Sequence, residues 1–239
     1  KLQAHGPVLL RGGRGTGKSA LLIEASRRLA PMRQEASAFG VYISLRHLTL
    51  LRSEAAEYES HLCELISKHV RKTLGEGVSN GFTAAGTAAE LQESLSRLSM
   101  SVGRRIVLFL DDAAHLGRET SLADFFDVYR TISSATVSCK ATIYPGVTKF
   151  GNRFDVLNDA TVVDLSRNED LPGFAEMFLG VMTARFPGDF GDGSFSRTLT
   201  KDEAAAFLGQ AVLGNMRAFV FACNYLRERI VSGKALGYP

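Results

Sequence analysis

The stretch of sequence that decides the fold is a glycine-rich octet, Gly12-Gly13-Arg14-Gly15-Thr16-Gly17-Lys18-Ser19. It fits the phosphate-loop pattern G-x-x-x-x-G-K-[ST] at every fixed position. The apolar run Val8-Leu9-Leu10 precedes the octet, and Leu22, Ala25 and Leu29 follow it at helical spacing. The context is therefore strand, glycine loop and helix, which is the arrangement that this pattern requires.

The chemistry of the octet predicts a site for a nucleoside triphosphate. The backbone N–H groups of a glycine loop converge on a polyphosphate, and the N-terminus of the following helix adds a partial positive charge. Lys18 can reach the terminal phosphates, and Ser19 can hold a magnesium ion. The alternative is a glycine-rich turn with a chance lysine, but the motif and its flanks both favour nucleotide binding. The predicted nucleotide-binding residues are Gly12, Gly13, Arg14, Gly15, Thr16, Gly17, Lys18 and Ser19.

A second motif is the apolar run Ile106-Val107-Leu108-Phe109-Leu110, which ends in Asp111-Asp112. Continuous apolar runs are typical of parallel strands that are buried on both faces. A carboxylate at the carboxyl end of such a strand faces the crevice where open α/β sheets bind ligands. We therefore assign Asp111 to the magnesium ion, together with Ser19, and Asp112 to the attacking water. After a complete phosphate loop, this strand is interpreted as a Walker B element.

The order of the predicted elements favours an α/β fold. Further strands are predicted at residues 39–45, 141–144 and 161–165, with helical patterns between them. Such alternation predicts a parallel sheet with helices on both faces. From Leu171 onward only helical patterns occur. The predicted organisation is a nucleotide-binding core over residues 1–167 and a small all-helical domain over residues 168–239.

Composition narrows the class of protein. The 239 residues are 45% hydrophobic and 22% charged, as in ordinary globular domains. No apolar run approaches the ~20 residues that cross a bilayer and no secretory pattern is visible, so we predict a cytoplasmic protein without a membrane partner. The spacing of Cys63, Cys139 and Cys223 predicts buried free thiols. The net charge of +3 permits contact with DNA without requiring it. The start at Lys1 is consistent with a fragment of a longer protein.

The phosphate loop, the strand ending in Asp111-Asp112 and the helical part containing Gly214-Asn215-Met216-Arg217 together resemble an AAA+ ATPase. The resemblance is to the origin-recognition and replication-initiator group and to the related STAND signalling ATPases. It implies ATP and Mg²⁺ as ligands, ATPase activity and a helical lid domain after the core. In this family a G-[ND]-x-R segment of the lid supplies the sensor-2 arginine. The resemblance therefore implies that Arg217 reaches the γ-phosphate.

Three further residues take their predicted roles from the resemblance. Family members usually carry asparagine, threonine or serine as sensor 1 at the end of the fourth strand, and Thr148 is the nearest such residue here. Arg153 lies where the family often has an arginine that contacts the nucleotide of a neighbouring subunit. Asp112 stands where many vigorous AAA+ motors have glutamate. Because the shorter side chain holds an attacking water less well, we expect hydrolysis to be slow or partner-dependent.

The predicted function is an ATP-binding, slowly hydrolysing assembly switch that acts with DNA or partner proteins. It would form homo-oligomers through the nucleotide interface. An alternative of another class is a nucleotide-bound, STAND-type signalling scaffold with little or no turnover. A metabolic phosphoryl-transfer kinase fits the phosphate loop but not the Gly-Asn-x-Arg segment. The sequence carries no Asn-Lys-x-Asp guanine signature and does not by itself identify the base. ATP is implied by the resemblance.

Overall fold

The computed structural model describes residues 2–33, 35–48, 55–75, 82–113, 119–146, 150–195 and 199–232. The chain divides into two compact units. The first unit comprises the described residues of Lys1–Gly12 and Lys18–Asp164, and the second those of Gly13–Gly17 and Leu165–Pro239. Five residues of the phosphate loop thus fold with the C-terminal part of the chain. The domain boundary at residue 167 stays a prediction.

The first unit contains a five-stranded sheet whose strands pair in the order β2-β3-β4-β1-β5. Every pairing is parallel, which confirms the predicted sheet. The buried strands β3 and β4 lie next to each other inside the sheet, as expected for continuous apolar runs. The strands are β1 (Val8–Arg11), β2 (Ala38–Ser44), β3 (Arg105–Asp111), β4 (Val137–Ile143) and β5 (Thr161–Asp164).

Helices connect these strands and cover the sheet. The helix after the phosphate loop buries Leu22 of its predicted apolar face, and the fourth helix buries Phe125, Phe126 and Tyr129; all four side chains are fully inaccessible to solvent. Phe125, Phe126 and Tyr129 belong to one hydrophobic core together with residues of the sheet. The helices of this unit are α1 (Lys18–Arg28), α2 (Ala55–Leu74), α3 (Ala88–Val102), α4 (Glu119–Ile132) and the short α5 (Val156–Asp159), and a 3₁₀ turn spans Leu45–His47.

The second unit is built from helices around a core of its own. Thr200 and Glu203 form a capping box at the start of one helix, and the Asn215 side chain caps the next. The helices are α6 (Phe174–Arg185), α7 (Lys201–Ala211) and α8 (Met216–Val231), with a 3₁₀ turn at Asp192–Ser194. Its core residues are Phe174, Phe178, Met182, Phe186, Phe190, Ala205, Phe219 and Cys223.

The three cysteines are free and buried, which confirms the prediction from their spacing. Burial raises the pKa of Cys63 and Cys139 to about 12 and that of Cys223 to about 11. These thiols therefore stay protonated at neutral pH and pack as small apolar side chains. Within the part of the chain that the structure describes, no helix is both long and apolar enough to cross a membrane.

Candidate functional site

The carboxyl ends of the five strands lie at one edge of the sheet, because all of them run in the same direction. The register places Ser44 of β2 beside Asp111 of β3. It also pairs the last residue of β1 with Ile143 of β4. Directly after β1, the N–H of Gly12 donates to the carbonyl oxygen of Ile143 at 3.2 Å. The chain therefore leaves β1 at the edge where open α/β sheets bind ligands.

Asp111 is the last residue of β3 and is only 1% exposed. Its Oδ1 accepts hydrogen bonds from the Thr142 hydroxyl at 2.9 Å and from the Asp112 N–H at 3.0 Å. Its Oδ2 accepts from the Tyr42 hydroxyl at 2.8 Å. Burial and the neighbouring Asp111 raise the pKa of Tyr42, so that its hydroxyl keeps the donated proton. An ionised carboxylate has about four acceptor positions, so these three bonds orient Asp111 and leave it able to bind a cation.

Asp112 follows β3 with a φ of 60°, in the left-handed region that few non-glycine residues adopt. Its N–H also donates to the hydroxyl of Thr142, at 2.9 Å. Its Oδ2 accepts a hydrogen bond from Nε of Arg46 at 3.2 Å and forms an ion pair with the same guanidinium at 3.1 Å. The carboxylate assigned to the attacking water is thus paired with a cation of its own chain.

Lys18 is the first residue of α1 and is buried. Its ammonium group donates to the carbonyl oxygen of Gly12 at 2.5 Å. The same nitrogen lies 4.2 Å from the centroid of the Tyr144 ring. These contacts hold the Lys18 cation beside the residue that opens the phosphate loop. Ser19 follows it in the first turn of α1 and is partly buried.

Glycine is required at two positions inside the phosphate loop. Gly15 and Gly17 have φ values of 85° and 91°, where a side chain is strained. A Cβ on Gly15 would also lie 2.3 Å from Oδ1 of Asn215. The hydroxyl of Thr16 donates to the carbonyl oxygen of Gly13 at 3.0 Å, and this hydrogen bond within the loop stabilises its conformation. The loop conformation therefore depends on its sequence at each of these positions.

The Gly-Asn-x-Arg segment contacts Arg14 and Gly15 of the phosphate loop, which belong to the second unit as the segment does. Nδ2 of Asn215 donates to the carbonyl oxygen of Arg14 at 2.8 Å, while Oδ1 of the same side chain accepts from the N–H of Ala218 at 3.1 Å. The backbone N–H of Arg217 donates to the carbonyl oxygen of Gly15 at 3.1 Å. The asparagine side chain and the arginine backbone therefore connect α8 to the loop.

The remaining predicted site residues are less constrained. Arg217 lies in the first turn of α8 and is exposed. Arg153 lies shortly before α5 and is also exposed. Thr148, the sensor-1 prediction, lies outside the described residues. The roles given to Arg217, Arg153 and Thr148 stay predictions.

Sequence reasoning missed three side chains that contact the acidic pair. Tyr42 and Arg46 come from β2 and the turn after it, and Thr142 comes from β4. In the sequence, the only local signal for Thr142 is that a polar residue lies near the end of an apolar strand. In the structure this residue is 2% exposed. Tyr42 and Arg46 carry no such signal, because their position depends on the pairing of β2 with β3.

Comparison with solved structures agrees with the predicted fold. The structure of Drosophila ORC bound to DNA matches with a TM-score of 0.60 and 12% identity, over 97% of this chain and 57% of that one. The Aeropyrum pernix ORC1 protein in complex with DNA matches with a TM-score of 0.40 and 17% identity, over 97% of this chain and 63% of that one. C. elegans PCH-2 matches with a TM-score of 0.45 and 15% identity, over 95% and 60%.

The match to the Drosophila structure shows a shared fold. The other two matches, with TM-scores of 0.40 and 0.45, are too weak to support a conclusion about the fold. The chain has the α/β fold of the AAA+ ATPases, as predicted. It spans 57% to 63% of the length of these three solved chains. No model of a known protein family and no curated protein sequence matches it.

Proposed function

We propose that this chain binds ATP with Mg²⁺ and acts as a slowly hydrolysing, nucleotide-dependent switch. The phosphate loop and Lys18 bind the polyphosphate, and Ser19 and Asp111 hold the magnesium ion. The ion neutralises charge on the phosphates when it is bound. Asp112 orients the water. The observation that carries the proposal is the geometry of the acidic pair: Asp111 is fixed by three hydrogen bonds, and Asp112 is paired with Arg46.

The pair between Asp112 and Arg46 is the reason to expect slow turnover. The guanidinium of Arg46 occupies Oδ2 of Asp112, an oxygen that would otherwise be available to hold the attacking water. The Arg46 side chain is 62% exposed, so the pair resembles the surface ion pairs that contribute little free energy. A binding partner that attracts Arg46 would release Asp112 at small cost. This arrangement supports hydrolysis that depends on a partner.

We expect the substitution Arg46→Gln to raise the steady-state ATP turnover by about two- to fivefold, since an exposed ion pair is worth up to about 1 kcal/mol. The substitution removes the cation from Asp112 and keeps a side chain of similar length. The matched control is Arg97→Gln, which removes another exposed arginine that is paired with a carboxylate, Glu93. Turnover that falls or stays equal to that of the control would show that Arg46 does not restrain Asp112.

The proposed partners are a second copy of the chain and DNA or another protein. A bound triphosphate carries negative charge that Lys18 and magnesium neutralise only in part. Arg217 in the same subunit and Arg153 of a neighbouring subunit complete this neutralisation in the proposed assembly. Both residues are exposed and available for such contacts. The net charge of +3 is compatible with a nucleic-acid partner.

We expect ATP to increase self-association more than ADP, because a ligand shifts an equilibrium by its differential affinity for the two states. Light scattering with ATP, with ADP and without nucleotide measures the mass. Arg153→Ala and Arg217→Ala should reduce the effect of ATP, and the exposed Arg185→Ala serves as the control. Equal mass under all three nucleotide conditions would contradict the assembly switch. An unchanged Arg153→Ala variant would place the subunit contact elsewhere.

A nucleotide-bound scaffold of the STAND type is the second candidate. The same ion pair favours it, because a permanently paired Asp112 would leave ATP bound and intact. Turnover measured with and without DNA separates the two functions. A scaffold predicts tight nucleotide binding without turnover in either condition.

A further inference from the structure

Arg167 lies three residues after β5, in the unit that also contains residues 13–17 of the phosphate loop. One terminal nitrogen of its guanidinium, Nη2, is 3.8 Å from the position that a Cβ on Gly17 would occupy. Its Nε donates to the sulfur of Met177 at 3.3 Å. The planar group is therefore oriented from one side by α6 and directed at the last glycine of the loop.

The charge of this guanidinium is not balanced within the part of the chain that the structure describes. Its other terminal nitrogen, Nη1, is buried and has no hydrogen-bond partner among the described residues. Arginine does not lose its proton in proteins, so burial leaves a cation with an unused donor. Burial lowers the pKa of Arg167, as expected for a cation that has lost water without gaining an anion. A buried cation of this kind destabilises the folded chain unless an anion binds it.

The backbone around Arg167 is fixed by the Gly-Asn-x-Arg segment. Gly214 has a φ of 73°, and a Cβ there would lie 2.8 Å from both Cβ and the carbonyl oxygen of Arg167. Only glycine allows this close approach. The next residue, Asn215, donates to the loop at Arg14. The same segment therefore positions both the phosphate loop and the arginine beside it.

We propose that Arg167 is a polyphosphate-binding residue whose guanidinium donates to the phosphates that ADP and ATP share. This inference rests on the proposed function, because it requires that the loop binds a nucleotide. The N–H groups of a phosphate loop surround the α- and β-phosphates, and Arg167 approaches the loop at Gly17. Its planar fork is suited to phosphate oxygens. The exposed Arg217 is left for the γ-phosphate.

Calorimetry with MgADP and with MgATP tests the proposal on the variant Arg167→Gln. We expect the affinity for both nucleotides to fall by a similar factor of about ten or more, because a charge-assisted hydrogen bond is lost. Arg167→Lys keeps the charge without the fork and should lose less. The control Arg185→Gln removes an exposed arginine of the same unit and should leave both affinities unchanged. Thermal unfolding without nucleotide should show a stability at least equal to that of the wild type.

Three results would overturn the proposal while the wild type still binds nucleotide. The first is an unchanged affinity for both nucleotides in Arg167→Gln. The second is a loss for MgATP alone, which would assign the residue to the γ-phosphate. The third is a lower melting temperature of the nucleotide-free variant that accounts for the loss, which would assign Arg167 to the fold. If the wild type binds neither nucleotide, the proposed function itself is wrong, and this inference is wrong with it.

Discussion

The substitution Lys18→Ala is expected to weaken the binding of MgATP by about a hundredfold. Lys18 is buried at the start of α1, and its ammonium group is held by Gly12 and the ring of Tyr144. This position places a positive charge at the proposed polyphosphate site. A hydrogen bond to a charged group contributes about 1.5–3 kcal/mol, and the lysine would make more than one such contact. Isothermal calorimetry measures the loss directly.

Lys201→Ala is the matched control for this experiment. Lys201 is also the first residue of a helix, α7, but lies outside the phosphate loop. The Lys201→Ala variant should bind MgATP with the affinity of the wild type. If Lys18→Ala also binds MgATP with wild-type affinity, the octet does not bind phosphate and the proposed function is wrong.

The substitution Asp112→Asn is expected to abolish ATP turnover and to leave MgATP binding intact. Asparagine has the same size as aspartate but cannot accept a proton from the attacking water, and loss of a general base lowers a rate by about 10²–10⁴-fold. Asp111 would still assist the magnesium ion, since Tyr42 and Thr142 continue to orient it. Steady-state phosphate release and calorimetry together separate the two effects.

Asp111→Asn provides the contrast. It should reduce the magnesium dependence of nucleotide binding, because the first acid is assigned to the metal. If Asp112→Asn instead loses binding as severely as Lys18→Ala, the roles of the two aspartates have been misassigned.

The sequence was informative where the structure depends on local patterns. The phosphate-loop motif includes its own strand and helix, so the position of Lys18 at the start of α1 follows from spacing alone. The same is true of Asp111, because a continuous apolar run predicts a buried strand and the first polar residue after it marks the end. The alternation of strands and helices predicted the parallel sheet.

The contacts of the candidate site could not be predicted in the same way. Arg46 reaches Asp112 because β2 pairs with β3, although 66 positions separate the two residues in the chain. Thr142 reaches Asp111 because β4 lies on the other side of β3. The position of Arg167 depends on Gly214, and two helices, α6 and α7, lie between these residues in the chain. Strand order and helix packing determine these contacts, and neither leaves a mark in a short stretch of sequence.

The hydrogen bond from Asn215 to Arg14 joins residues 201 positions apart. During synthesis a chain emerges from its N-terminus, and early segments begin to fold before later ones exist. The phosphate loop is therefore made before the Asn215 side chain that binds it. A nascent or truncated chain that lacks α8 would have the complete octet but not its supported conformation. We therefore expect a chain that ends before Asn215 to bind nucleotide more weakly than a chain that contains α8.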